Sequence, residues 1–198
     1  MKIYFDGCSW TYGTELENKE QERFSRLLCN DLSAEETNLA CPGGSNQRII
    51  RNLITETDIT QYDLAVIQLT YSSRTEFHDG TTWRTINVNP RRVNIKNDLL
   101  PNVTHQDFWE YYYTNICNDI YFKVQEKIAV ETITHYCKSK NVPLILMSID
   151  HTTELNYDLI LTKPWKRYPS APKKHPTREG HKMITKDILN IITSRQLL

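Results

Sequence analysis

The 198-residue chain has no CxxC pair, no HExxH or comparable spacing of metal ligands, and no apolar run that approaches a membrane span. The first absence excludes a zinc knuckle and a thioredoxin-like redox site. The five cysteines, at 8, 29, 41, 117 and 137, are odd in number and read as reduced thiols of a cytosolic protein. His78, His105, His135 and His151 are dispersed, so no metal is expected. The apolar run at 3–5 is too short for a secretion signal, which makes the sequon Asn102-Val103-Thr104 incidental. Net charge is missing too: 24 basic and 24 acidic side chains cancel, and nothing global draws the chain to nucleic acid or into a membrane. Repeats, low-complexity tracts and linkers are also absent, which predicts one domain over residues 1–198.

What is present suits a packed core, with 39% hydrophobic and 10% aromatic residues. Residues 2–5 predict a buried strand that ends in a turn, because Gly7 and Gly13 interrupt helical continuity. Phe24, Leu27, Leu28 and Leu32 fall on one side of a helix over about 20–32. A weak strand at 37–40 leads to Ser45, which can cap a helix running to about 57. Residues 64–69 are apolar without alternation, the pattern of a strand buried on both faces.

Residues 71–106, with Gly80, Pro90 and Pro101, break this rhythm and predict a long excursion around a site. From 107 to about 138, an apolar and aromatic stripe including Trp109, Tyr112, Ile120, Val124, Ile128 and Ile133 predicts one long helix, or two joined by a kink. Its aromatic half suits a lid or a homo-oligomer contact. Residues 142–149 form a further strand, 157–161 a short strand or a helical turn, and a last helix begins near Thr177. The alternation predicts an α/β fold: a three-layer α/β/α sandwich around a mainly parallel, flavodoxin-like sheet of four or five strands.

In such a sheet the loops after the strands, here 6–13, 42–46 and 70–76, share the C-terminal edge where ligands bind. Ser9, in a tight strand-to-helix turn, is the candidate nucleophile, and His175, just before Pro176 and the last helix, is the candidate base. Taken singly, Ser9 is a helix cap and His175 a polar neighbour of a helix start. Trp10 and Tyr12 can line a pocket beside Ser9. Arg74 can bind a carboxylate or phosphate with Glu76 holding it, or the two form a plain ion pair. Asp6 either braces the turn or takes part in acid/base chemistry. His181, six residues after His175, suits a buried polar contact better than catalysis. The run Lys163, Lys166, Arg167, Lys173 and Lys174 either favours an anionic substrate or solvates its segment.

Gly7-Cys8-Ser9 with Gly13, Pro42-Gly43-Gly44-Ser45-Asn46, Ile67-Gln68-Leu69-Thr70-Tyr71-Ser72 and His175-Pro176-Thr177 together resemble the blocks of the SGNH, or GDSL-like, hydrolases. The resemblance implies a serine esterase without a cofactor, cleaving an acyl or acetyl ester of a carbohydrate or lipid. Ser9 attacks, His175 moves the proton, and the Ser9 and Gly44 N–H groups with the Asn46 amide stabilise the oxyanion. Cys8 stands where the family has aspartate, and Ser72 where it has the third-block asparagine, a donor whose loss costs roughly 3 kcal/mol. The family's acid three residues before the histidine is Pro172 here, so Asp150, Asp158 or Glu76 would have to orient His175 through space. Two other readings stay open: a carbohydrate- or protein-binding module that has lost catalysis, and a structural protein of a phage particle with a viral partner.

Overall fold

In the computed structural model, residues 1–86, 111–149, 155–161, 168–173 and 175–198 are described. Strands β1 (Lys2–Asp6), β2 (Glu35–Asn38), β3 (Leu64–Leu69), β6 (Leu144–Ser148) and β7 (Leu159–Ile160) form a parallel sheet in the order β2-β1-β3-β6-β7. That order is the doubly wound, flavodoxin-like one. Ile3 pairs with Leu64 and Ala65 with Leu144, which puts the most apolar strands in the middle.

Side chains alternate across each strand and so divide into two cores. Ile3, Phe5, Leu64, Val66, Ile145 and Met147 face α3 (Phe24–Asp31) and α6 (Arg178–Arg195), meeting Phe24, Leu28, Ile184 and Ile188. Tyr4, Ala65, Ile67, Leu69 and Leu146 face α4 (Asn46–Arg51) and α5 (Asp119–Ser139), meeting Ile49, Ala129, Ile133 and Cys137. The result is the expected α/β/α sandwich with five strands, in which residues 157–161 supply a strand.

Several elements differ from their sequence reading. The first helix is broken into α2 (Lys19–Glu22) and α3, with Arg23 extended at φ −67°, ψ 146° between them. The break lets Arg23 turn its guanidinium onto Glu36 of β2 at 2.9 and 3.0 Å, a pairing that periodicity cannot report. Ser45 does cap α4, accepting from Arg48 N–H at 3.1 Å, but the helix passes into a π-helical turn over Asn52–Glu56. The excursion opens with a hairpin, β4 (Thr75–His78) and β5 (Trp83–Ile86), whose turn is tied by Asp79 accepting from Thr81 and Thr82 N–H, each at 2.8 Å.

Of the two readings of 107–138, the described residues fit two helical segments joined by a break: a π-helical turn over Tyr112–Ile116 ends at Cys117, and the long helix starts at Asp119, where Asn118 caps it by accepting from Tyr121 N–H at 3.0 Å. Ile120, Val124 and Ile128, taken from the sequence as part of its apolar face, are exposed. Its buried face is Glu126, Ala129, Ile133 and Cys137. Trp109, the rest of the excursion over 87–106, Lys163, Lys166, Arg167 and Lys174 lie outside the described residues. No described helix is long and apolar enough to cross a membrane.

Candidate active site

β1 runs into the turn at Gly7 and Cys8, and the four-residue helix α1 (Ser9–Tyr12) starts at once. Gly7 is required by close approach: a Cβ there would lie 2.5 Å from Thr11 Oγ1 and 3.1 Å from Gln68 Cβ. Fully buried Asp6 holds the turn from the sheet side, accepting from Gly7 N–H (2.7 Å), Asn52 Nδ2 (2.9 Å), Arg48 Nη1 (3.1 Å) and the Tyr4 hydroxyl (3.2 Å). Burial pushes the Asp6 carboxyl up, against the pull of Arg48 and these bonds. With every contact turned inward, the carboxylate acts as a brace.

Ser9 is the first residue of α1 and is 9% exposed. Its Oγ donates to Cys8 Sγ at 3.9 Å, a long contact that leaves the hydroxyl weakly held. The Cys8 thiol is buried, which pushes its pKa up. The Arg74 charge, the Trp10 N–H, Gln68 and the Thr70 hydroxyl outweigh burial and hold the thiol below its ordinary range. Gln68 Oε1 also accepts from Thr11 Oγ1 at 2.9 Å and from Cys8 N–H at 3.5 Å, so β3 props both ends of the Ser9 turn.

α1 ends at Gly13, whose left-handed φ of 83° turns the chain back. Two residues on, Glu15 also adopts a left-handed φ of 72° and directs its carboxylate at the segment before α6. It accepts from His175 Nδ1 at 2.6 Å and from the N–H groups of Lys173 (3.1 Å) and His175 (3.3 Å). Desolvation opposes the charge on Glu15, but the bonds from His175 and Lys173 prevail and hold its pKa below the usual carboxylate range. A carboxylate at Nδ1 keeps the proton there and leaves Nε2 its lone pair. Ser9 and His175 are not hydrogen-bonded to each other; Glu15, six residues after Ser9, is what ties the segment of His175 to the segment that follows α1.

Spacing gives no sign of Glu15, 160 residues from its histidine. The acids considered from the sequence go elsewhere. Asp158 accepts from Leu146 N–H at 2.7 Å and pairs with Arg195 at 2.5 Å, joining β6 to α6. Glu76 pairs with Arg51 at 2.9 and 3.2 Å and not with Arg74, because β4 presents it to α4. Asp150 lies outside the described residues. Only the position of Glu15, just past Gly13 and the Ser9 turn, could have drawn attention to it.

The second loop is laced to the first, with Cys41 N–H donating to the Gly7 carbonyl at 3.2 Å. The Gly44 N–H, expected at the oxyanion, donates to the Cys41 carbonyl at 2.9 Å and is engaged in that turn. The Asn46 amide clamps the Thr70 backbone, donating to its carbonyl at 3.0 Å and accepting from its N–H at 2.8 Å. One amide hydrogen of Asn46 is left over. None of the hydrogen bonds among the described residues uses the Ser9 N–H.

Trp10 packs against the first core, and Tyr12 lies under the Lys19 ammonium, which also meets its hydroxyl. Ser72 lines a cavity of about 50 Å³ with Asn46, Ser73, Arg74, Tyr113 and Phe122. Beyond Gln47, Ile50 and Ile128 a groove of about 660 Å³ continues past Ile54 and Trp83. Fully buried His181 accepts from Phe24 N–H at 3.1 Å and stacks on its ring at 5.8 Å, closing α6 on α3. No group of three or more His, Cys, Asp or Glu side chains converges as metal ligands among the described residues.

No protein-family model matches the chain, and no curated protein matches it by sequence. Solved structures do. TesA superposes with a TM-score of 0.59 at 10% identity over 100% of both chains. The psychrotrophic esterase EstA from Pseudoalteromonas sp., inhibited by monoethylphosphonate, gives 0.57 at 9% identity over 98% of both. The acetyl xylan esterase AlAXEase gives 0.52 at 10% identity, covering 97% of this chain and 100% of its own. At such identities the likeness is one of fold: the parallel sheet and its flanking helices are built as in these proteins.

Proposed function

We propose that the chain is a divergent SGNH-type hydrolase that cleaves a carboxylic ester through Ser9 and His175, with Glu15 as the third member of the site. The observation that carries this reading is the 2.6 Å contact between Glu15 and His175 Nδ1, which gives the imidazole the tautomer of a general base beside a serine turn. Esterases of the same fold support it. The structural-partner reading gains nothing from these neighbours.

In this mechanism His175 Nε2 takes the proton as Ser9 Oγ bonds to the ester carbonyl carbon. The Ser9 N–H and the spare Asn46 hydrogen stabilise the oxyanion. Collapse expels the alcohol, which leaves with the proton from His175. A water, deprotonated by the same nitrogen, then bonds to the acyl carbon and releases the acid, returning the proton to Ser9. Ser72 and the cavity beside it receive part of the substrate, and a small or carbohydrate-borne acyl ester suits that space.

Labelling with a serine-directed fluorophosphonate tests the assignment. The native protein is expected to label, Ser9→Ala not at all, and His175→Ala at least tenfold more slowly. Equal labelling of native protein and Ser9→Ala removes Ser9 as nucleophile.

A further inference from the structure

Seven of the eight arginines among the described residues end on a carboxylate, Arg48 on Asp6 and Arg51 on Glu76 among them. Arg74 is the exception. Its Nη1 donates to Thr70 Oγ1 at 2.6 Å, and its guanidinium lies 5.3 Å from the Tyr71 ring centroid. No carboxylate lies within ion-pair distance of it among the described residues. An exposed arginine needs no partner, but this one is half-buried on the wall of the cavity that Ser72 and Ser73 also line. Holding a cation there without a counter-charge is unfavourable unless something else supplies one.

The position ties it to the chemistry. Arg74 holds the Thr70 hydroxyl, Thr70 is clamped by Asn46, and the Arg74 charge helps hold down the pKa of Cys8, the neighbour on which Ser9 Oγ rests. The turn that presents Arg74 is itself closed by its N–H donating to the Tyr71 carbonyl at 3.0 Å. A guanidinium carries five N–H donors in a flat fork, and Thr70 occupies one. The remainder can take two oxygens of a carboxylate or phosphate side by side.

We propose that Arg74 recognises a carboxylate or phosphate carried by the substrate, so that the site is selective for acidic esters. This rests on the hydrolase reading above and narrows its substrate class. The test compares kcat/KM within matched pairs. Phenyl acetate is set against 4-carboxyphenyl acetate and 4-acetoxyphenyl phosphate for an anion on the alcohol side, and methyl butyrate against monomethyl succinate for one on the acyl side. Native protein is expected to favour the charged member of at least one pair by tenfold or more. Arg74→Gln is expected to lose that ratio mainly through KM, and Arg74→Lys to keep part of it. No preference in native protein, or a preference that survives Arg74→Gln, overturns the proposal while leaving a hydrolase.

Failure of every ester together with absent Ser9 labelling is the failure of the hydrolase reading instead. Arg74 is then judged by calorimetric titration of 4-hydroxybenzoate and of inorganic phosphate. Binding to native protein that weakens at least tenfold in Arg74→Gln sustains anion recognition, and equal or absent binding overturns it.

Discussion

Glu15 and His181 show how a single side chain can bind distant segments and register pH. Glu15→Gln keeps the size of the side chain but weakens the contact to His175 Nδ1, so kcat is expected to drop roughly a hundredfold with KM little changed, and Glu15→Asp to recover part of it. Steady-state kinetics on a neutral ester checks this. Since its bonds hold the Glu15 carboxylate below the usual range, the pairing is fully present above the ordinary glutamate pKa and is lost only as pH falls through the lower, folded value. His181 works in the opposite sense. Burial first, and the His175 charge second, bring its pKa down to about 3. Between about 6.5 and about 3 the unfolded chain binds a proton that the folded one refuses, so stability falls with falling pH in that window, by an amount on the order of a few kcal/mol. His181→Asn places an acceptor near the Nδ1 position without titrating there. Its urea midpoint is expected to vary less between pH 6.5 and pH 4 than that of the native protein, whatever the variant's absolute stability.

Among the elements, α4 and the turn after β3 are held together by Asn46, whose amide satisfies both backbone groups of Thr70. Asn46→Ala leaves a buried N–H and a buried carbonyl unmatched, and is expected to cost about 2 kcal/mol in urea unfolding and to lower the kcat of ester cleavage by loosening the edge beside Ser9. Elements with strong local signals were legible from the sequence. The buried strand at 64–69, the Ser45 cap and the final helix all stand where periodicity and capping put them. The break at Arg23 was not, because an arginine seeking Glu36 overrides a continuous apolar stripe; the break before α5 was one of two readings, and the Asn118 cap decides for it. The β4-β5 hairpin did carry a local signal, Asp79-Gly80 with Gly80 at a left-handed φ of 96°, but its four-residue turn and mixed polar strands lie inside a stretch whose prolines and glycine read as irregular. At the candidate site, the placement of Ser9 and His175 at a strand end and before the last helix was legible from the sequence. Glu15 was hidden because its role depends on a contact across the chain.

For the molecule as a whole, the order β2-β1-β3-β6-β7 puts β1 and β3, from the first half of the sequence, beside β6, from the second. Two halves of one sheet therefore meet along a single line, between β3 and β6. Ser9, Glu15 and Arg74 belong to the first half and His175 to the second, with residues 87–110 between the halves. A chain cut within 87–110 and supplied as two pieces is expected to hydrolyse esters only when both are present, with a rate that follows their association; activity from either piece alone would contradict the assigned pair. The contact between Glu15 and His175 has a consequence in the life of the protein as well as in its chemistry. On the proposed mechanism, a chain synthesised only through β6 presents Ser9 and Glu15 without a base, and gains reactivity towards esters only once His175 has been made and has reached Glu15.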